Sequence, residues 1–490
     1  MPPETTERPS ASQPAPGHVP GAGEGASGAS APSGARAAVV HGATSGSPAT
    51  GRPHAVTPRP ARLLGATSFA HFVNDGVVFF VPVVGDLLAQ GRHTSTAMVT
   101  VMLTIFYVTS AGFGVVVGLF ADKVGRRTTM IAVGIAALGL SLLGFYAAFS
   151  LRGAGSDALV VAAALVAGVG SSFYHPLGGS ILQLAFAKGA RGRALGVNGA
   201  FGSLGRALYP ALFFLIAALG VTKPATAGIF GGLSLLAAGI VLAGLPEQAA
   251  EPRPDQPRGA RAPAPLEMTA SAAVGSALTR RPRSHGRPGS LRPLLSRSVV
   301  ALTAISFLRS LGFIGVVSWV PIYLTAVRHA GVSTTLGFTV TVMYAGGIVG
   351  QPLFGLLADR FDKRLVLALD SVGSAGGIFF FLTTSGDGAS ALVALGVFGL
   401  FTFSGFPLLL SLVADYVPKE SSTTGNALVW GIGSTGGQAL GPLTVSLLVA
   451  GADAHLGFGF AVLGGVVAAT ALATPLLVKA PRSARVALFG

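Results

Sequence analysis

Few residues in this chain could do chemistry, and they stand inside long apolar runs. His71, Asn74 and Asp75 are spaced i, i+3, i+4, so a helix carries all three on one face. Arg206 follows Asn198 and Gly202 by eight and four residues and precedes Tyr209 by three, a polar stripe along another helix. His175 precedes Pro176, and a proline inside a helix kinks it and frees backbone acceptors. Arg309, Trp430 and Gln438 stand in further apolar runs. An ionisable group inside a spanning helix is costly, so it usually faces the bundle interior and serves a function. A carboxyl placed like Asp75 can bind and release a proton as a cavity opens to alternate sides. A mid-helix arginine such as Arg206 needs an anion, either a carboxylate such as Asp75 or a substrate. Each feature also has a plainer account. The first trio could be a hydrogen-bonded cluster tying two helices together. Arg309 could snorkel to an interface, and His175 could satisfy the kink beside it.

The elements that must position these residues are membrane helices. Only 10% of the 490 residues are charged, against about 25% in soluble domains. Such a chain cannot cover the surfaces of several soluble domains. Spans of ~20 apolar residues begin near Leu64, Ala97, Thr128, Ala158, Ala194 and Ala225. Six more begin near Val299, Thr334, Leu365, Ala389, Ser422 and Leu456. The runs are continuous, which fits helices and not the alternating strands of a barrel. The expected fold is an all-α membrane protein of twelve transmembrane helices in two six-helix pseudo-repeats. Its parts are a disordered tail over 1–62, a first bundle over 63–246, a linker over 247–297, a second bundle over 298–480 and a short tail over 481–490. The tail and linker are rich in Pro, Ala, Gly, Ser and Arg and cannot bury enough surface to order themselves.

Ten Lys and Arg residues fall in loops 2–3, 4–5, 8–9 and 10–11, and four in the other loops. Positive-inside orientation puts the first set, both termini and the linker in the cytoplasm, with the chain in the cell (inner) membrane and expected as a monomer. The net charge of +15 does not mark a nucleic-acid binder, because the charges sit in short gaps between apolar runs. No cysteine, phosphate loop, nucleotide domain or metal-ligand spacing is present in the sequence. No enzyme activity, cofactor or metal is expected.

The two halves repeat. GLFADKVGRR from Gly118 returns as GLLADRFDKR from Gly355, and Ser68–Pro82 returns as Ser306–Pro321. Pro176 pairs with Pro407, and Pro210 with Pro442. In the same register His71 pairs with Arg309, and Arg206 with Gln438. Parallel repeats of this kind are related by an axis along the membrane normal.

The Gly118–Arg127 segment resembles the signature loop of the major facilitator superfamily. HFVNDG, GVGSSFYHP, NGAFGSLGRALYP and the Phe307–Leu324 segment together look like the fosmidomycin-resistance-type exporters of that superfamily. In that type the helix-4 motif commonly continues with an acid, where this chain has Leu177. The resemblance implies a central cavity with His71 and Arg309 on opposite walls. It also implies a charge latch at the cytoplasmic gate, formed by Gly118, Asp122, Gly125, Arg126 and Arg127 and by Gly355, Asp359, Arg360, Lys363 and Arg364. Arg126 and Arg127 are expected to anchor the loop on the anionic leaflet, and the alternative is a tight turn with no gating role. Asp362 stands where the first copy has Gly125. Asp370 and Asp415 are expected as interfacial anchors or latch partners. The implied function is proton-coupled export of a small organic molecule, with an anion favoured by the excess of arginines. Import of such an anion and a membrane sensor without transport are the alternatives.

Overall fold

The computed structural model describes residues 60–247, 294–329, 334–385, 388–449, 453–480 and 486–489. The expected tail and linker therefore lie almost wholly outside the described residues. The first helix starts at Pro60 and takes in three residues of the expected tail, and its buried apolar side chains begin at Leu63.

The described residues form fourteen α-helices and no strand. The first six are α1 (Pro60–Gln90), α2 (Thr96–Val124), α3 (Arg127–Ala148), α4 (Ala154–Ala185), α5 (Arg191–Ala218) and α6 (Lys223–Gly244). Then come α7 (Arg297–Ile322), α8 (Thr334–Arg360) and α9 (Lys363–Thr383). The tenth span is broken into α10 (Ala389–Thr402) and α11 (Gly405–Tyr416). The eleventh is α12 (Ser422–Asn426), a π-helical stretch Ala427–Thr435 and α13 (Gly436–Val449), and α14 (Leu456–Ala473) is the twelfth. Ten helical runs have the length and hydropathy to cross a membrane. Beyond them stand α5 and the run Ser422–Val449, which carry Arg206 and Trp430. Large apolar side chains such as Leu140, Leu236, Leu447 and Leu472 lie on the outside, as a lipid-facing surface requires.

The sequence repeat returns as a packing repeat. In the first half α1 packs on α5, α2 on α4, and α3 on α4 and α6. In the second half α7 packs on α13, α8 on α10, and α9 on α10 and α14. The halves meet through two reciprocal seams. One is α5 on α8, and the other is α2 on α12 and the π-helical stretch.

Candidate functional site

The cavity lies where those seams converge. It encloses about 800 Å³ of space, part of it open, and is lined from both halves. One charged wall comes from the first half. Asp75 on α1 is buried and faces three basic groups. Its Oδ2 is 3.3 Å from His71 Nε2 and also meets the Arg206 guanidinium, and its Oδ1 is 3.3 Å from His175 Nε2. Asn74 donates to Oδ1 at 3.0 Å. The helical spacing read from the sequence thus puts His71 and Asp75 against each other, and the kink at Pro176 brings His175 to the same carboxylate.

Each member is held from behind. His71 Nδ1 lies 2.9 Å from the Asn198 carbonyl and 3.0 Å from its side-chain oxygen. Both are acceptors, so Nδ1 carries the hydrogen and Nε2 is turned to Asp75. The Asn198 amide donates to the Tyr174 oxygen at 2.9 Å, and Tyr174 donates to the Thr67 carbonyl at 2.8 Å. Arg206 donates to Ser203 Oγ at 2.6 Å, and Gln351 of α8 donates to the same hydroxyl at 2.7 Å. The guanidinium also lies over the rings of Phe79 and Phe403, 5.4 and 5.0 Å from their centroids, a favourable place for a desolvated cation.

The second half supplies a different wall. Arg309 lines the cavity and pairs with Asp370 of α9, both buried. Asp370 is therefore no interfacial anchor. It lies in the bundle because Arg309 needs a carboxylate there. Trp430 lies tilted against His175 with ring centroids 4.3 Å apart, and Phe406 lies 4.8 Å from His71. Trp430 stands in the π-helical stretch, a departure from α-helix that often marks functional sites. The break at Phe403–Ser404 puts irregular backbone beside the cavity, which is where a membrane helix tolerates it.

Among the expected site residues, His71, Asp75, His175, Arg206, Arg309, Trp430 and Gln438 line the cavity. Asn74 and Asn198 stand behind it, bonded to Asp75 and His71. Tyr209 does not join them. It stacks on Phe230 at 5.0 Å and packs over Gly76 in the core of the first half. Three residues beyond Arg206, it has turned onto the flank that faces α6. Phe79, Phe403, Phe406 and Gln351 also line the cavity, and Ser203 bonds Arg206 from behind, none of them among the residues expected there. A Ser-Gly-Phe-Pro string at 404–407 was the available signal for the broken tenth helix.

The ligand atoms of His71, Asp75 and His175 all lie within 4.8 Å of one another, a spacing a metal ion could use. The Arg206 guanidinium on the same carboxylate already supplies its positive charge, which weighs against a divalent cation there.

The two signature loops reach across the seams. Asp122 accepts the Thr424 N–H at 2.8 Å, the Thr423 N–H at 3.2 Å and the Thr424 hydroxyl at 2.8 Å. It thereby caps the start of the eleventh span, where free N–H groups and the helix dipole favour an anion. Asp359 does the same for α5, accepting from Gly192 N at 2.7 Å, Arg193 N at 3.1 Å and Arg193 Nε at 3.0 Å. Gly118 and Gly355 allow the approach. A Cβ on Gly118 would press on the Thr424 backbone, and one on Gly355 on the Gly192 carbonyl.

Arg127 is no leaflet anchor. It is 1% exposed and reaches Thr423 Oγ1 at 3.2 Å and Asp122 at 3.3 Å. Arg126 and Arg360 are exposed. Gly125 ends α2 in the left-handed region, at φ 76°. Its counterpart Asp362 has φ −64° and instead caps α9 by accepting from Arg364 N at 3.1 Å. Lys363 donates to Asp415 at 2.6 Å, and Lys188 of the other half lies 3.3 Å from that carboxylate.

A model of the Major Facilitator Superfamily matches residues 65–442 and, in an overlapping match, 331–488. The chain belongs to that superfamily. It is a multi-pass membrane protein of a transporter family and not an enzyme. It is 28% identical over 165 residues to the cis,cis-muconate transport protein of Acinetobacter baylyi, covering 34% of this chain and 38% of that one. It is 32% identical over 130 residues to an uncharacterized MFS-type transporter of Enterobacter, covering 26% of this chain and 32% of that one. The chain thus spans about a third of the length of each of these relatives. The proton:xylose symporter XylE shares the fold, with a TM-score of 0.64 and 14% identity over 84% of this chain and 94% of that one.

Proposed function

We propose that this major facilitator protein carries a small organic anion across the cell membrane, coupled to protons, by rocking two six-helix bundles about the central cavity. The observation that carries the reading is the Arg206–Asp75 pair on the cavity wall. A buried guanidinium must keep an anionic partner. A substrate anion that takes Arg206 frees Asp75, and a freed carboxylate in that setting is best kept by a proton. His71 and His175 stand beside Asp75 to relay it. Anion and proton are then bound together and released together, which is cotransport in one direction. With acid outside, cotransport means import.

Export is the second reading, favoured by the likeness of the HFVNDG and GVGSSFYHP segments to fosmidomycin-resistance-type exporters. The muconate relative, whose named cargo is a dicarboxylate, supports an anionic substrate in either direction. The face bearing Asp122 and Asp359 is read as cytoplasmic from the basic residues of its loops. Both termini fall on that side. Its two capped seams act as the latch of a closed cytoplasmic gate, and the protein works as a monomer in the inner membrane.

Proteoliposomes supplied with cis,cis-muconate test the reading. Acid outside should drive accumulation, and Asp75→Asn should only let the anion equilibrate. Accumulation driven by acid inside would favour export. Accumulation by Asp75→Asn equal to wild type would remove Asp75 as the coupling group.

A further inference from the structure

The cavity has two arginines, and they come from different halves. Arg206 stands on α5 and Arg309 on α7, and both line the same space. Each is held by one carboxylate of its own half, Asp75 for Arg206 and Asp370 for Arg309. Each pairing is end-on, through one terminal nitrogen of the guanidinium. A guanidinium has five N–H donors in a planar fork suited to two-pronged recognition of a carboxylate or phosphonate. The Nε of both arginines is buried without a hydrogen-bond partner, as is Oδ1 of Asp370. Both arginines, which line the cavity, therefore hold a donor that their own carboxylate does not use.

The two heads flank one feature, the break in the tenth span. Arg206 lies 5.0 Å from the Phe403 ring centroid. Arg309 lies beside Gly405, where an added Cβ would fall 2.5 Å from its Nη1. Phe403 and Gly405 are two residues apart, so both charges stand against the same short break. The same lining holds aromatic side chains, among them Phe313, Phe406 and Trp430, together with neutral polar groups such as Ser310 and Gln438.

We infer that the substrate is a dianion, a small organic molecule with one anionic group on Arg206, a second on Arg309 and a carbon skeleton against the aromatic lining. This rests on the organic-anion reading and narrows it. At each end one carboxylate is exchanged for another, so neither arginine is left without a partner, and each displaced carboxyl, Asp75 or Asp370, is kept by a proton. A molecule with a single charge satisfies one half only. A dianion reaches both, and so ties the bundle carrying α5 to the bundle carrying α7.

Binding to the purified full-length protein in detergent tests this with matched pairs of probes. Cis,cis-muconate is compared with sorbate, and adipate with hexanoate. Each pair shares a six-carbon skeleton and differs in the second carboxylate. Wild type should bind the dianion at least ~10-fold more tightly, a difference of about 1.4 kcal/mol. The double variant R309Q/D370N removes the second head without leaving a buried lone charge. Its preference for two charges should fall to near one, with its melting temperature reporting that it is folded. Arg309→Lys keeps the charge and loses the fork, and should fall between the two. Equal binding of the two members of each pair by wild type would overturn the dianion and leave an organic anion as substrate. So would a preference that survives in R309Q/D370N. Failure of wild type to bind any of the four probes would overturn the organic-anion reading with it.

Discussion

The two halves of this transporter share a frame but place different chemistry in it. In the first half one carboxylate, Asp75, faces His71, His175 and Arg206 at the cavity wall. In the second half Asp370 faces Arg309 alone and stands behind the wall. The position that holds His71 in one repeat holds Arg309 in the other, and Arg206 is matched by the neutral Gln438. A twofold frame lets both halves move alike, while among the described residues only the first half sets histidines against its cavity carboxylate. On the proposed function, the histidines assign the proton relay to the first half.

Asp75→Asn is the largest break in that comparison. It leaves Arg206 buried without a carboxylate, a loss of about 3–5 kcal/mol. Chemical unfolding in detergent should read that loss, and gradient-driven accumulation should vanish. The double variant D75N/R206Q should regain most of the stability and none of the accumulation. If the double variant regains both, the pair is a structural bolt.

Asp370→Asn strands Arg309 in the same way, at the lower end of that range, about 3 kcal/mol. It leaves Asp75 and both histidines in place. Accumulation per bound anion should still follow the pH gradient. A loss of gradient dependence here would move coupling into the second half and undo the contrast.

Much of this architecture was legible in the sequence, because lipid allows little else. A helix that must satisfy its own backbone in hydrocarbon shows as a continuous apolar run, and the start of α14 at Leu456 is where the sequence put it. The repeat located both capping acids, Asp122 and Asp359, although sequence alone did not say which helix each would cap. Side-chain direction was harder. Arg127 reads as one more basic anchor beside Arg126, and only the close approach at Gly118 shows that it is enclosed. Asp370 looks interfacial by its place near the start of its run. The requirement that Arg309 have an anion was the clue that it is not. Tyr209 reads as part of the Arg206 stripe, but a step of three residues carries it off the cavity face.

The two caps make a finer pair. Asp359 binds Arg193 of the helix it caps, so its charge is matched across the seam. Asp122 is matched by Arg127 of its own half. Removing Asp359 therefore breaks both a cap and a cross-seam ion pair, and removing Asp122 breaks a cap and a local pair. A lost cap costs about 0.5–2 kcal/mol. The chain holds no cysteine, so Ser180→Cys with Ser422→Cys reports closure of that seam by oxidative cross-linking. Those two hydroxyls are 3.1 Å apart. Cross-linking should fall in Asp122→Ala and fall further in Asp359→Ala. The reverse order would mean that the seams open independently.

The smallest effect lies at Asp362, where the second loop departs from the first. The Arg364 guanidinium, helped by the Arg364 backbone N–H, holds the Asp362 carboxyl below its ordinary range against the opposing pull of partial burial. A carboxyl lowered on folding contributes stability above its unfolded value, near 3.9. That contribution is lost as pH falls through the lower, folded value. The pair is partly open to solvent, so its worth is under about 1 kcal/mol. Asp362→Asn should lower the melting temperature slightly at neutral pH and flatten its fall below about pH 4. Asp362→Gly would restore the residue of the first loop, but the backbone there has no left-handed turn to relieve. Glycine at 362 should therefore be no better than asparagine. If it is better, the second loop is under a strain that its geometry does not record.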